Sequence, residues 1–193
     1  MKNICVFCGS MPGTNAAFRE TAVAFATLLA QRGHTLVYGG GSVGLMGAIA
    51  DAALAIGGKV IGVIPRTLFE REVGHRGLTE NHIVETMHER KQLMSDLSDA
   101  FVALPGAVGT MDEFFETWTW AQLGVHNKPF GILNVAGYYT NLLAFLDTVV
   151  ASGFMKQQYL DMVQVDTDGD ALLRKLSTYQ PPTTMKWVSD AQR

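Results

Sequence analysis

The sequence is poor in charge and in cysteine, and it has no long apolar run. Of 193 residues 17% are charged, and 15 basic against 18 acidic side chains give a net charge of −3. There is no basic stripe to neutralise a phosphate backbone, so we expect no nucleic-acid partner. No apolar run is long enough to span a bilayer, and the first residues lack a signal-peptide pattern. We therefore expect a cytoplasmic protein with no membrane partner.

The two cysteines, Cys5 and Cys8, form a C-x-x-C pattern, which raises the question of a redox or metal pair. They lie in an apolar segment that predicts a strand, where positions three apart face opposite sides. No second pair or nearby histidine completes a zinc set. The sequence therefore predicts two reduced thiols in or beside the core, and no metal.

Short apolar runs alternate with amphipathic stretches, which is typical of a parallel sheet covered by helices. We expect one Rossmann-like, doubly wound parallel α/β sheet flanked by helices, in a single domain over residues 1–180 followed by a loosely held tail over 181–193. The charged stretch 66–80 lacks clean periodicity and predicts a mobile surface excursion. The predicted strands are 3–8, 35–38, 59–64, 83–85, 100–104, 130–133 and 162–165, and the predicted helices are 15–31, 44–56, 87–97, 109–123, 138–152 and 170–179.

Three predicted strands run into glycine-rich turns, each followed by a helix. They are the turns at residues 8–11, 39–47 and 105–110. A turn of this kind presents free backbone N–H groups and the positive end of a helix dipole to an anion. In doubly wound sheets ligands bind beyond the carboxyl ends of the strands. The three turns together predict a nucleotide site at that edge.

The sequence motifs of several nucleotide-binding and hydrolase classes are incomplete or absent. Gly39-x-Gly41-x-x-Gly44 matches the dinucleotide fingerprint, but it follows the second strand, and no Asp or Glu stands near the end of the next strand at 61–64 to hold a ribose. A P-loop motif is absent, as is G-x-S-x-G. NAD, FAD, P-loop ATPase and serine-hydrolase functions are therefore disfavoured.

Charged residues flank the third turn. Glu113 follows it near the start of a predicted helix, with Glu116 one turn later on the same side. Acidic residues are common in a first helical turn, so this position alone does not indicate catalysis. The segment 87–91, Met-His-Glu-Arg-Lys, opens another helix at the same edge and brings two cations towards the same crevice.

These segments resemble the LONELY GUY family of cytokinin riboside 5′-monophosphate phosphoribohydrolases, formerly mislabelled lysine decarboxylases. The resemblance rests on Thr86-Met-His-Glu-Arg-Lys91 and Pro105-Gly-Ala-Val-Gly-Thr-Met-Asp-Glu113, and it extends over about the whole chain. It implies cleavage of the N-glycosidic bond of an N6-modified adenosine monophosphate, without a metal or a cofactor. It also implies a homodimer, for which Trp118 and Trp120 could serve either core or interface.

The resemblance also implies roles for particular residues. Glu113 and Arg90 match the catalytic positions of the family. A carboxylate can stabilise positive charge that develops on the sugar and can orient the attacking water. The resemblance places the remaining candidates around the substrate and its phosphate, and these are Ser10, Gly41, Gly44, Gly47, Met87, Lys91, Gly106, Ala107, Val108, Gly109 and Thr110.

Ala107 departs from the family pattern, which has glycine at this position. If the backbone there needs a positive φ or a very close phosphate, the added Cβ costs about 1 kcal/mol or more. If φ is negative, the change is nearly neutral. We expect weakened but detectable nucleotide binding.

Two other functions stay open from the sequence. The same chemistry could act on another nucleotide such as AMP, and a non-catalytic carrier of a nucleotide or pterin cofactor could use the same phosphate loop. Glu113 and Arg90 favour catalysis over a carrier. A lysine decarboxylase is disfavoured because no lysine lies in a recognisable pyridoxal-phosphate context.

Overall fold

Seven strands lie parallel in one sheet in the computed structural model, which describes residues 1–182 apart from the side chains of residues 71 and 72. The strand order is β4-β3-β2-β1-β5-β6-β7, and every pairing between neighbours is parallel. The expected fold class is confirmed. The strands are β1 (Asn3–Phe7), β2 (Thr35–Tyr38), β3 (Val60–Pro65), β4 (Glu80–Val84), β5 (Ala100–Ala103), β6 (Phe130–Leu133) and β7 (Val163–Asp166).

Helices cover both faces of the sheet. One apolar cluster joins it to α1, α2 and α8, and a second joins it to α4, α5 and α6. The helices are α1 (Ala16–Gln31), α2 (Gly44–Ala55), α3 (Arg66–Leu68), α4 (Met87–Asp96), α5 (Val108–Gln122), α6 (Thr140–Ala151), α7 (Gln157–Leu160) and α8 (Gly169–Thr178), with a π-helical turn at Phe69–Val73 and a 3-10 turn at Val135–Gly137.

The central strands are buried on both faces, as expected for parallel strands between two helical layers. Cys5 and Cys8 show this alternation, since Cys5 packs in the cluster of one face and Cys8 in that of the other. Both are buried and free, as the sequence predicted. None of the described helices is long and apolar enough to cross a membrane.

Most predicted elements agree with the structure to within one or two residues. Asn15 caps α1 through its side chain, which accepts from the N–H of Ala17. Strand β4 begins at Glu80 rather than at residue 83, because it is an edge strand whose exposed polar residues hide the period of two. The short helix α7 was not predicted.

The stretch 66–80 has more regular structure than the sequence indicated. It begins as α3, continues as the π-helical turn Phe69–Val73, and ends in β4. The segment therefore contains helical turns that the sequence did not predict, and its mobility stays a prediction. The predicted tail falls largely on residues 183–193, which lie outside the described residues, and the division at residue 180 stays a prediction.

The order of the sheet reverses between β1 and β5, which places two of the glycine-rich turns side by side. The N–H of Gly9, after β1, donates to the carbonyl of Pro105, after β5, at 3.0 Å. Two tyrosines then fix the turn after β5. Tyr139 Oη donates to the carbonyl of Leu104 at 2.6 Å, and Tyr138 Oη donates to that of Gly106 at 2.7 Å. A crevice at such a reversal is the usual ligand site of this fold.

We expect Tyr139→Phe to lower the free energy of unfolding by about 1 to 2 kcal/mol, because it leaves the buried carbonyl of Leu104 unpaired. Urea unfolding measures the loss. Tyr138→Phe is the matched control: Tyr138 is 45% exposed, so water replaces its hydroxyl and the loss is smaller. Equal losses in the two variants would contradict the role of Tyr139.

Candidate active site

A cavity of about 480 Å³ opens where the turns after β1, β2 and β5 meet. All three predicted turns contribute to its wall, through Ser10, Gly41 and Ala107 among others. Arg90 and Glu113 line it from α4 and α5. A volume of this size is in the range of small-molecule sites.

The amino end of α5 faces this cavity with free backbone donors. Ala107 is the N-cap residue and offers no side-chain acceptor, and the first helical hydrogen bond runs from Met111 N–H to its carbonyl. Within the described part of the chain, the N–H groups of Val108, Gly109 and Thr110 have no acceptor. Unpaired donors at a helix amino terminus are suited to an anion.

Ala107 has φ −98° and ψ −153°, an extended conformation open to any residue. The strain that a positive φ would bring is therefore absent. Gly106, its neighbour, does require the lack of a side chain, because a Cβ there would overlap the Thr110 side chain and press on Gly9 N. Gly106 thus serves the packing of the two loops.

Hydrogen bonds to β3 and to the turn after β2 fix the Arg90 side chain. Its Nε donates to the carbonyl of Val63 at 3.1 Å, and its Nη2 to that of Gly39 at 2.9 Å. Only 8% of Arg90 is exposed. Gly39 has to lack a side chain, because a Cβ would overlap the guanidinium. A capping box of Thr86 and Glu89 starts α4 and so sets where Arg90 leaves the helix.

Glu113 lies beside Arg90 and is nearly as deeply buried. Arg90 Nη1 and Glu113 Oε1 are 3.4 Å apart, and 11% of the Glu113 side chain is exposed. Burial raises the pKa of Glu113 above its usual value, and the charge of Arg90 only partly offsets this. The result is a carboxylate in a poorly solvated place, where its electrostatic effect on a bound molecule is strong.

The turn after β2 is arranged differently from the expectation. The N–H groups of Leu45 and Met46 donate to the carbonyl of Gly9 at 3.0 and 3.4 Å. Gly44, at φ +60°, lies against the backbone of Ser10, and Gly47 lies against that of Ser42. Gly44 and Gly47 therefore hold the turns together and do not line the cavity, whereas their neighbours Val43 and Met46 do.

Four more candidates lie outside the cavity lining. Gly106 packs within the loops, and the Val108 side chain is 84% exposed. Met87 reaches the guanidinium of Arg90 through its sulfur, at 3.9 Å from Nη1. Lys91 Nζ lies 3.2 Å from Asp112 Oδ2 and 3.0 Å from Glu116 Oε1. Of the predicted site residues, the cavity brings together Ser10, Gly41, Arg90, Ala107, Gly109, Thr110 and Glu113.

The segment after β3 contributes to the site in a way that the sequence did not indicate. The N–H of Ser42 donates to the carbonyl of Val73 at 2.7 Å, and the N–H of His75 donates to that of Gly40 at 2.9 Å. These bonds bring Leu68 and Val73 into the cavity wall. The segment has no regular hydrophobic period, so no sequence signal placed it there.

Comparison with known sequences finds a family model, described as "Possible lysine decarboxylase", that matches residues 46–176. The chain is 47% identical over 180 residues to cytokinin riboside 5′-monophosphate phosphoribohydrolase LOG1 of Arabidopsis thaliana, covering 93% of this chain and 84% of that protein. It is 49% identical to the probable enzyme of the same name, LOGL9, of Oryza sativa subsp. japonica, covering 93% and 79%.

Solved structures share the fold at low identity. The molybdenum cofactor binding protein of Rippkaea orientalis has a TM-score of 0.69 and 18% identity, covering 92% of this chain and 97% of that one. The molybdenum cofactor carrier protein of Chlamydomonas reinhardtii has a TM-score of 0.68 and 20% identity, covering 92% and 99%. Similarity at this level extends to the fold alone.

The sequence relatives are far closer than the structural ones, and they match nearly the whole chain. Their match includes both the helix that carries Arg90 and the loop and helix that carry Glu113. The chain belongs to the LONELY GUY family, whose members named above are phosphoribohydrolases.

Proposed function

We propose that this protein hydrolyses the N-glycosidic bond of a purine ribonucleoside 5′-monophosphate, giving the free base and ribose 5-phosphate. The observation that carries the proposal is the buried pair of Glu113 and Arg90 at 3.4 Å, in the same cavity as the free amides at the amino end of α5. The amides suit a phosphate, and Glu113, about one helical turn further along α5, suits the sugar that carries it. Membership of a family whose relatives are named for this reaction supports it.

The amino end of α5 would hold the 5′-phosphate. The N–H groups of Gly109 and Thr110 are free donors beside the cavity, and the Thr110 hydroxyl lines it with no partner among the described residues. The helix dipole adds positive potential at the same point. We assign Ser10 and Gly41 to the nucleotide wall, and Ala107 to the contact with the phosphate.

The apolar part of the cavity wall suits an apolar group on the base. Met46, Ile64, Leu68 and Val73 line the cavity, and an alkyl substituent at N6 of adenine would lose contact with water there. Burial of each methylene group is worth about 0.8 kcal/mol at most. The relatives' names specify a cytokinin nucleotide, so we propose an N6-modified AMP as the preferred substrate, with AMP as the second candidate.

The reaction needs little beyond these residues. Water attacks C1′ of the ribose as the bond to the base breaks, and the base leaves with the electron pair. The ionised Glu113 stabilises the positive charge on the sugar and accepts a proton from the water. The leaving base takes up one proton from the solvent, and Glu113 later releases its proton to the solvent, so that the products are the free base and ribose 5-phosphate. Arg90 holds Glu113 in place and adds positive charge towards the leaving base or the phosphate.

Two other functions are less well supported by the site. A carrier does not need a buried carboxylate at the sugar, and the similarity to cofactor carriers extends only to the fold. A pyridoxal-phosphate decarboxylase needs a lysine in the site. No lysine belongs to the described residues that line the cavity.

We also propose a cytoplasmic homodimer. Trp118 is buried, with Nε1 donating to the carbonyl of Tyr159 at 3.1 Å, so it serves the core. Trp120 is partly exposed and lines a groove between α4 and α5 together with His88 and Leu93. Aromatic side chains of this kind are enriched at interfaces.

The free thiols of Cys5 and Cys8 agree with a reducing compartment, which supports the proposed cytoplasmic location.

Glu113→Gln is expected to lower kcat by at least about 100-fold, because it removes the charge that stabilises the sugar cation while keeping the shape of the side chain. The assay follows release of free base and ribose 5-phosphate from N6-isopentenyl AMP and from AMP. We expect the isopentenyl substrate to have the higher kcat/KM.

Glu20→Gln is the control, since Glu20 is an exposed glutamate on α1, away from the cavity. It should turn over like the unaltered protein. Tight nucleotide binding without turnover in the unaltered protein would favour the carrier. Failure of any nucleotide to bind would eliminate both functions.

On the acid side of the pH profile, kcat/KM should fall with a midpoint above about 4.5, the usual pKa of a glutamate carboxyl group, because burial raises the pKa of Glu113. This falling part of the profile is the acid limb. The reaction uses the ionised form, so activity is lost as the pH falls through this raised pKa and is regained above it. A pH profile with N6-isopentenyl AMP locates the limb. A limb at or below the usual carboxyl value would contradict the assignment of Glu113.

Ala107→Gly tests whether the departure from the family pattern matters. Since φ of Ala107 is −98°, its backbone is not strained. Its Cβ can then weaken binding only by crowding the phosphate. We expect KM for AMP to fall by no more than about threefold, which corresponds to less than about 0.7 kcal/mol. Glycine also serves as an N-cap, so the helix should persist. A tenfold fall would show that the Cβ obstructs the phosphate.

A further inference from the structure

Lys91 follows Arg90 on α4 but points to the other side of Glu113. Its Nζ contacts Asp112 Oδ2 at 3.2 Å and Glu116 Oε1 at 3.0 Å. Only 12% of its side chain is exposed, against 55% for Asp112 and 26% for Glu116. A lysine this well covered, shared between two carboxylates, differs from an ordinary surface pair, in which both partners are solvated.

The two partners of Lys91 are neighbours of Glu113 on α5. Asp112 precedes it, and Glu116 lies one turn further along on the same side. Lys91, Glu113 and Glu116 also line one small internal cavity. Three carboxylates therefore fall within two turns, while Arg90 is directed into the large cavity and bonded to Gly39 and Val63. Without Lys91, Asp112 and Glu116 would have no compensating cation in contact among the described residues.

We propose that Lys91 is a positioning residue that offsets part of the negative charge of Asp112 and Glu116, so that Glu113 can stay ionised in its buried place. The catalytic consequence of this inference rests on the proposed function. The electrostatic coupling of Lys91, Asp112 and Glu116 to Glu113 does not depend on it. Like charges close to a carboxylate disfavour its ionised form, and a cation that cancels them restores it. The lysine therefore acts on Glu113 through its own charge and through Asp112 and Glu116, and it lies outside the lining of the cavity proposed for the substrate.

The groups around Glu113 are consistent with this role. On its own helix the charges of Asp112 and Glu116 raise the pKa of Glu113, and from α4 the charges of Arg90 and Lys91 lower it. The thiols of Cys5, in β1, and of Cys8, just after it, interact electrostatically with Glu113, and burial raises the pKa of both above its usual value. The thiols therefore carry no charge in the range where Glu113 titrates. Burial is the largest cause of the raised pKa of Glu113, and the charges on the two helices modify it.

The test measures the pH dependence of kcat/KM in matched variants. Lys91→Met removes the charge but keeps an apolar chain, and it should move the acid limb up by about one pH unit. Asp112→Asn/Glu116→Gln removes the two like charges and should move the limb down. The triple variant that combines all three changes is neutral at the cluster, which carries a net charge of −1 in the unaltered protein. Its limb should therefore lie between that of the double variant and that of the unaltered protein. Lys91→Arg should restore the limb.

Lys175→Met is the matched control, because Lys175 pairs with Asp166 at 3.0 Å on the edge strand, far along the sheet from Glu113. It should leave the limb in place. A lysine that only supports packing would lower the plateau in Lys91→Met and in the triple variant alike, without moving the limb. That result would overturn the proposal. If Lys91→Met does not fold, an unmoved limb in the double variant Asp112→Asn/Glu116→Gln would overturn it equally.

A second readout separates this inference from the proposed function. The ¹³C chemical shift of the Glu113 carboxyl, assigned by its loss in Glu113→Gln, reports the titration in the same variants without any substrate. If the unaltered protein turns over no nucleotide but the carboxyl titration moves as described, the proposed function fails and the charge relation stands. If turnover occurs and neither readout moves, the proposed function stands and the role of Lys91 is wrong.

Discussion

The bonding of the Arg90 guanidinium is the constraint on which the site depends. It spans the carboxyl ends of β2 and β3 through the carbonyls of Gly39 and Val63, and it also meets Glu113 from α5. A buried guanidinium has to find acceptors for its donors, because leaving them unpaired costs several kcal/mol. Two backbone carbonyls meet part of that need, and so the remaining edge is free to face Glu113 and the cavity.

This arrangement explains why glycine is needed at some positions of the turns and not at others. Gly39 leaves room for the guanidinium, and Gly106 leaves room for Thr110 and for the approach of Gly9. At Ala107 the backbone is extended, so no such demand exists. The resemblance suggested a weakness in the phosphate loop at Ala107, but the physical requirement lies one residue earlier.

The sequence predicted what local pattern controls. The strands near the centre, and the three glycine-rich turns at one edge of the sheet, followed from periodicity and from the geometry of a parallel sheet. The placement of Arg90 and Lys91 could not be predicted in the same way. They are adjacent in sequence, yet one is directed into the cavity and the other to Asp112 and Glu116, and only the packing of α4 on α5 determines which.

The same limit applies to the cavity wall. Leu68 and Val73 reach it because Val73 and Gly40 form backbone hydrogen bonds to Ser42 and His75. Such long-range bonds leave no period in the sequence. The start of β4 was mispredicted because this edge strand carries exposed polar residues, which hide the alternation of buried and exposed positions.

The chemistry of the site requires two conditions that oppose each other. A carboxylate stabilises a developing cation most strongly where water is scarce, because the local dielectric constant is low. The same scarcity of water raises its pKa and favours the uncharged form, which has no such effect. Burying Glu113 is therefore useful only if nearby cations counter the rise. Arg90 does so from the side of the cavity. Lys91 does so through its own charge and by offsetting part of the charge of Asp112 and Glu116. Two consecutive residues of α4 thus make a buried and ionised carboxylate on α5 feasible.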